Sequence, residues 1–199
     1  MAENGREMSL DGYEILLCVT GGIACYKSAD LASKLVQAGA GVSVAMTDAS
    51  QQFITPLTFQ TLTRRRVFTS LWQASEDYSS QHISLTERAD LMILAPATAN
   101  VMAKMACGIA DDLVSTLALS SGGSCPILAV PAMNDRMLAA EATQQNMETL
   151  RSRGVHLMSP AEGYLACGTI GAGRMQEPTE ILGSAAGLLL RHPPKSQIV

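Results

Sequence analysis

Aromatic residues are scarce in this 199-residue chain, at 4% of positions with a single Trp and three Phe. The apolar content is instead Ala, Leu, Met and Val, which suits helices packed on a buried sheet better than a β-sandwich. Charge is scarce as well, at 16% against about 25% in an average domain, while 47% of residues are hydrophobic. Those proportions exclude a disordered chain and a coiled coil. A net charge of −4 and a pI near 5.3 leave no basic surplus for a dedicated nucleic-acid binder. No apolar run reaches the ~18 residues of a membrane span. The opening MAENGREMSLDGYE is polar and acidic and lacks the apolar stretch of a signal peptide, so a cytoplasmic location is expected.

Paired cysteines are missing too. Cys18, Cys25, Cys107, Cys125 and Cys167 are odd in number, with no C-x-x-C and no neighbouring His cluster. That pattern excludes a disulfide framework, and no metal site is predicted. The chain also lacks G-x-G-x-x-G and a Walker A loop, and the first absence weakens a plain nicotinamide-dependent oxidoreductase.

What is present is an alternation of short apolar runs with longer amphipathic stretches. Glu14–Val19, Gly41–Met46, Leu91–Ala95, Ile127–Val130 and Val155–Met158 read as strands. After Gly22 a helical pattern runs to Gly39, with Leu31/Leu35 and Ala32/Val36 on one face and the pair Asp30/Lys34 on the other. Further helices are expected over Ala99–Leu119, Glu141–Ser152 and Thr179–Leu190. Between Gln51 and Ala74, Pro56 breaks the pattern; a short helix, a helix and a weak strand near Val67–Leu71 are expected. Continuous apolar strands separated by helices predict a single-domain, Rossmann-like three-layer α/β sandwich with a parallel sheet of about six strands. Residues 1–190 are assigned to that domain and 191–199, with Pro193 and Pro194, to a tail.

Such sheets bind ligands beyond the carboxyl ends of their strands. Thr20-Gly21-Gly22-Ile23-Ala24 leads from strand into helix and reads either as an anion cradle or as a tight βα turn. Thr47 closes the second strand, and Asp48 beside it could read a ribose or cap a helix. Thr98, Ala99, Asn100 and Val101 follow the fourth strand, while Ala132, Asn134 and Met137 follow the fifth. His82 precedes the fourth strand, and a lone His there is ordinarily structural. Adjacent Asp111 and Asp112 would point ~100° apart on a helix and read as caps or solvated groups. The segment Ser159–Pro178, with four glycines at 163, 168, 171 and 173, reads as a long mobile lid. Its Cys167, between Ala166 and Gly168, is a candidate acid or nucleophile.

In order along the chain stand GGIACYK, HISL, APATAN, GIADDLVST, PAMNDRM and LACGTIGAGRMQEP. Together, over Tyr13–Ile181, these resemble the homo-oligomeric flavin-containing cysteine decarboxylases. The resemblance implies an FMN site at a subunit interface. Gly21, Gly22, Ile23 and Thr47 would hold the phosphate and ribityl chain, and Phe53, Thr98, Ala99, Asn100, Val101 and Ala132 would line the ring. His82, Asn134 and Cys167 would be catalytic, with Asn134, Met137, Ala166 and Gly168 meeting the substrate. The lid form ACG…GRM.EP implies phosphopantothenoylcysteine rather than a peptide cysteine as substrate, within coenzyme A biosynthesis. The implied route is thiol oxidation to a thioaldehyde, loss of CO2 and re-reduction of the enethiolate. Implied partners are further copies in a trimer or dodecamer and a separate phosphopantothenate–cysteine ligase. Leu138 and Val101 depart from the family pattern, which has an aromatic and a Thr there. A peptide-cysteine decarboxylase and a non-catalytic flavin-binding regulatory subunit are the alternatives, and the second fits poorly with His82 and Cys167 both present.

Overall fold

The computed structural model describes residues 9–72, 81–164, 168 and 170–197. In β1 (Glu14–Val19) Ile15, Leu17 and Val19 enter one apolar cluster, while Leu16 and Cys18 enter another. Successive side chains of a strand point to opposite faces, so a strand apolar throughout must be covered on both. It pairs in parallel with β2 (Gly41–Met46) and β4 (Leu91–Ala97). Adding β3 (Val67–Phe68), β5 (Ile127–Pro131) and β6 (His156–Leu157) gives one parallel sheet of order β3-β2-β1-β4-β5-β6. This is the expected Rossmann-like sandwich. Its strand order reverses between β1 and β4, which opens a crevice at their carboxyl ends.

On one face Leu31 and Leu35 of α1 (Cys25–Gln37), Phe59 of α2 (Pro56–Thr63) and Ile181 of α8 (Pro178–Leu189) are fully buried. On the other lie Met102 of α4 (Ala99–Cys107), Val114 and Leu117 of α5 (Leu113–Ser120), and Met147 of α7 (Glu141–Ser152). Among the described residues no helix is long and apolar enough to cross a membrane.

Three sequence expectations are corrected. The helix expected over Ala99–Leu119 is two helices. Gly108 takes the left-handed conformation (φ 71°) that ends α4, and Asp112 then caps α5. The Asp112 carboxylate accepts the Ser115 N–H at 2.8 Å, and the Ser115 hydroxyl accepts the Asp112 N–H at 3.1 Å. Ahead of β4, where no element was expected, Gln81–Arg88 forms α3. The glycine-rich segment after β6 is also not a plain loop: β7 (Ala161–Tyr164) and β8 (Ile170–Arg174) pair antiparallel. Between β5 and α7 a short α6 (Asp135–Ala139) follows Asn134.

The described part of the segment read as a tail, residues 191–197, lies against the domain. The Tyr13 hydroxyl donates to the His192 carbonyl at 2.6 Å, Pro194 is buried, and the Lys195 N–H donates to Asp90 at 2.7 Å.

Candidate active site

At the carboxyl ends of β1 and β4 two threonines join the loops that follow. The Thr20 hydroxyl donates to the Pro96 carbonyl at 2.6 Å and accepts the Thr98 N–H at 3.3 Å. Thr98 caps α4 by accepting the Val101 N–H at 3.3 Å. Gly21 is pressed against the turn after β2, where an added Cβ would sit 2.5 Å from that of Ala49. At Gly22 the same atom would meet nothing nearer than Thr98 Cγ2 at 3.9 Å. The first glycine is therefore required by packing, and the second faces open space. Thr47 caps the turn Asp48–Gln52, its hydroxyl oxygen accepting the Ser50 N–H at 3.3 Å.

After β5 the chain is held from two sides. Ala132 N–H donates to the Ala97 carbonyl at 3.1 Å and Met133 N–H to the Gly173 carbonyl at 3.0 Å. Asn134 then caps α6, with Oδ1 accepting the Arg136 N–H at 2.9 Å.

These loops enclose one cavity of about 1040 Å³. Its wall contains Gly21, Gly22, Ile23, Thr47, Thr98, Ala99, Asn100, Val101, Ala132, Asn134 and Met137. Two of the expected residues are not brought to it: Phe53 stands half-exposed beside the turn after β2, and Gly168 does not line the cavity. The His82 side chain, Ala166 and Cys167 lie outside the described residues. Of the two departures, Val101 is buried in the core with its neighbours in α4, and Leu138 packs against that core rather than on the cavity.

Several lining residues were missed. Lys27, Lys104 and Arg174 bring cations to the wall, with Tyr26 and Tyr164 beside them. Lys104 donates to Asp112 at 2.6 Å and lies 2.6 Å from Asp111, and both bonds raise its pKa. Burial pushes the Asp112 carboxyl up, but the Lys104 ammonium and the Ser115 N–H together hold it below the ordinary range. Charged positions on an amphipathic helix read as solvated, so only the final packing reveals them. The buried thiols are unsuited to nucleophilic work: burial raises Cys18 and Cys25, and pushes Cys125 up to about 11.

The family model described as Flavoprotein matches residues 3–190. The chain belongs to the Flavoprotein family. This flavoprotein-family chain is 46% identical over 173 residues to the coenzyme A biosynthesis bifunctional protein CoaBC of Bacillus subtilis, covering 87% of this chain and 42% of that protein. It is 47% identical over 178 residues to the protein of the same name from Escherichia coli, covering 89% and 43%. The chain thus spans about two-fifths of the length of these relatives. Among solved structures it is similar to a cysteine-to-serine mutant of PPC decarboxylase complexed with pantothenoylaminoethenethiol. The TM-score is 0.81 at 26% identity, over 90% of this chain and 99% of that one. The FMN binding protein AtHal3 gives 0.80 at 26% identity, over 92% and 99%.

Proposed function

We propose that this chain is an FMN-dependent phosphopantothenoylcysteine decarboxylase acting in the cytoplasm, with the decarboxylase unit in residues 1–190. One observation carries the reading: a single cavity gathers the glycine turn, the Thr98 cap and the Asn134 loop. At about 1040 Å³ it reaches the top of the usual range for ligand sites, up to about 1,000 Å³, which suits a cofactor together with a substrate.

The residues present fit FMN. A glycine turn entering a helix offers backbone N–H groups to an anion. Among the described residues no backbone carbonyl accepts the Gly22 or Ile23 N–H, and Gly22 leaves open the space a Cβ would fill. Gly21, Gly22, Ile23 and Thr47 would hold the phosphate end, with Thr98, Ala99, Asn100, Val101 and Ala132 around the ring. When bound, FMN supplies a reversible hydride acceptor, the electron sink that no side chain provides for cysteine decarboxylation.

The chain's own groups handle the carboxylate and the protons. Arg136 N–H fixes Asn134 Oδ1, so the amide turns its Nδ2 donors the other way, the polarity a carboxylate needs. A neutral amide orients the carboxylate without over-stabilising its ground-state charge, as Arg would. Cys167, with an ordinary thiol pKa of ~8.5, is acidic enough to protonate an enethiolate carbon where a serine hydroxyl is not. The similar PPC decarboxylase structure carries a Cys-to-Ser change and a bound enethiol, which supports that role. His82 takes the substrate thiol proton or steers the substrate, and Met137 and Ala166 meet it.

The working form is a homotrimer, singly or within a dodecamer. Ile23 and Tyr26, which line the cavity, and Leu57, Tyr164 and Ile170 are large apolar side chains left mostly exposed in the single chain. A phosphopantothenate–cysteine ligase is the functional partner, since it would supply the substrate. The test is a visible spectrum of the purified protein, with CO2 release from phosphopantothenoylcysteine assayed beside a cysteine-ended peptide. A colourless protein that takes up no flavin overturns the reading, and release from the peptide alone reassigns the substrate.

A further inference from the structure

Lys27 is the most deeply buried cation among the described residues, with 5% of its surface exposed. It stands in the first turn of α1, just past the glycine turn, and lines the cavity. A buried ammonium is strongly unfavourable unless its protons are taken up. Here Nζ donates to the Met175 carbonyl at 2.8 Å and to Glu177 Oε1 at 2.8 Å. Arg174 donates to the same Glu177 oxygen at 3.2 Å, so the carboxylate gathers both cations. Lys27 acts first in holding the Glu177 carboxyl below its ordinary range.

Both partners lie at the foot of β8, and β8 is docked at its other side onto the loop after β5. Met133 N–H donates to the Gly173 carbonyl at 3.0 Å. Gly173 adopts φ +139°, and a Cβ there would collide with the Met133 carbonyl oxygen, so the two backbones meet with no space between them. Met175, two residues on, is buried in the α1 side of the core. A continuous chain of contacts therefore runs from α1 through Lys27, Met175, Gly173 and Met133 to Asn134. The glycine turn and the Asn134 loop stand at the ends of different strands, and this chain of contacts links them from the β8 side, as the sheet and the Ala132–Ala97 bond do from below.

We infer that Lys27 is a positioning residue for the decarboxylation proposed above: through the Met175 carbonyl and Glu177 it holds β8, and through Gly173 it sets Asn134 against the glycine turn. It touches no reacting atom in this role. The side chain suits the task because an ammonium can serve a carbonyl and a carboxylate at once with charge-assisted bonds, which a neutral amide cannot make.

The test is hydrogen exchange on the full-length protein, comparing wild type with Lys27→Met. Charge-assisted bonds are the strong ones, so losing this anchor should speed exchange of the Met133 amide about tenfold. Amides in β2 and β4 should keep their protection, because their bonds lie within the sheet. In steady state the variant should retain flavin and raise KM for the carboxylate substrate about tenfold, with kcat reduced far less. Unchanged Met133 exchange, or loss of protection spread equally through β1, β2 and β4, overturns the inference and returns Lys27 to a plain core role. If Lys27→Met does not fold, Glu177→Gln is read by the same amide, and about threefold faster exchange is expected. The exchange measurement needs neither flavin nor turnover, so an inactive, colourless wild type would overturn the proposed function and leave this result standing on its own.

Discussion

Thr20 and Thr98, 78 positions apart in sequence, bring their hydroxyl oxygens within 3.2 Å at the point where the sheet's strand order reverses. The Thr20 side chain also satisfies the Pro96 carbonyl, and Thr20 is 2% exposed. Replacing it with Val keeps the shape and leaves a buried carbonyl and the Thr98 N–H unserved. Thr20→Val should lose about 1–3 kcal/mol of stability, read as a lower urea midpoint at unchanged slope. Retained stability would mean that water replaces the hydroxyl.

The two glycines of the turn should behave differently. Gly21→Ala drives a Cβ into Ala49 and should impair folding. At Gly22 an added Cβ meets nothing closer than 3.9 Å, so Gly22→Val should fold normally, yet crowd the space where a phosphate would approach. Far-UV circular dichroism with the 450 nm flavin absorbance of the purified variants checks the pair. A fully yellow Gly22→Val protein would move the anion site elsewhere.

Asn134→Asp separates folding from chemistry. Asp caps a helix as well as Asn does, so α6 should persist and stability should change by less than about 0.5 kcal/mol. A carboxylate facing the substrate carboxylate should nevertheless reduce turnover at least about 100-fold, a barrier increase of ~2.7 kcal/mol. Flavin content and CO2 release measured together distinguish this from misfolding.

Cys167→Ser divides the reaction in two. If the thiol serves only to protonate the enethiolate, as proposed, oxidation and CO2 loss should proceed without it. A single turnover should release CO2 and accumulate the enethiol, with steady-state rate nearly abolished. Rapid-mixing absorbance with mass analysis of the product decides, and full conversion to the saturated thiol would refute the proton-donor role.

The Lys104–Asp112 pair predicts an acid limb. Asp112 has a folded pKa below its unfolded value, so the unfolded chain binds a proton first as pH falls. Its contribution is complete above about pH 4 and is lost below it, down through the depressed folded value. Asp112→Asn keeps the cap of α5 and removes the titration. Its urea midpoint should therefore fall less steeply than that of wild type between about pH 4 and pH 2.

How far the sequence carries the reader depends on the range of the contacts involved. β1 and β2 could be read residue for residue: Ile15–Val19 is apolar without interruption and buried on both faces, and β2 is broken only by half-buried Ser43. The break between α4 and α5 was written in Gly108 and in Asp112-x-x-Ser115, but apolar Ile109 and Leu113 continue the helical rhythm across it. The β7–β8 pair has no such local signature, being glycine-rich, and its placement comes from Gly173 meeting Met133. At the site, small residues at strand ends were legible from position alone. Lys27 was not, since its carboxylate partner lies 150 residues away.

The contacts of Lys195 carry a practical consequence. Its N–H meets Asp90, whose carboxylate also accepts the Glu14 N–H at 2.7 Å, and its ammonium donates to the Ala89 carbonyl at 2.6 Å. Residue 195 is thereby anchored where β1 and β4 begin, a full strand length from where they deliver the glycine turn and the Thr98 cap. A sensor surface, bead or fluorescent label attached beyond this point would sit at the opposite end of these strands from the cavity.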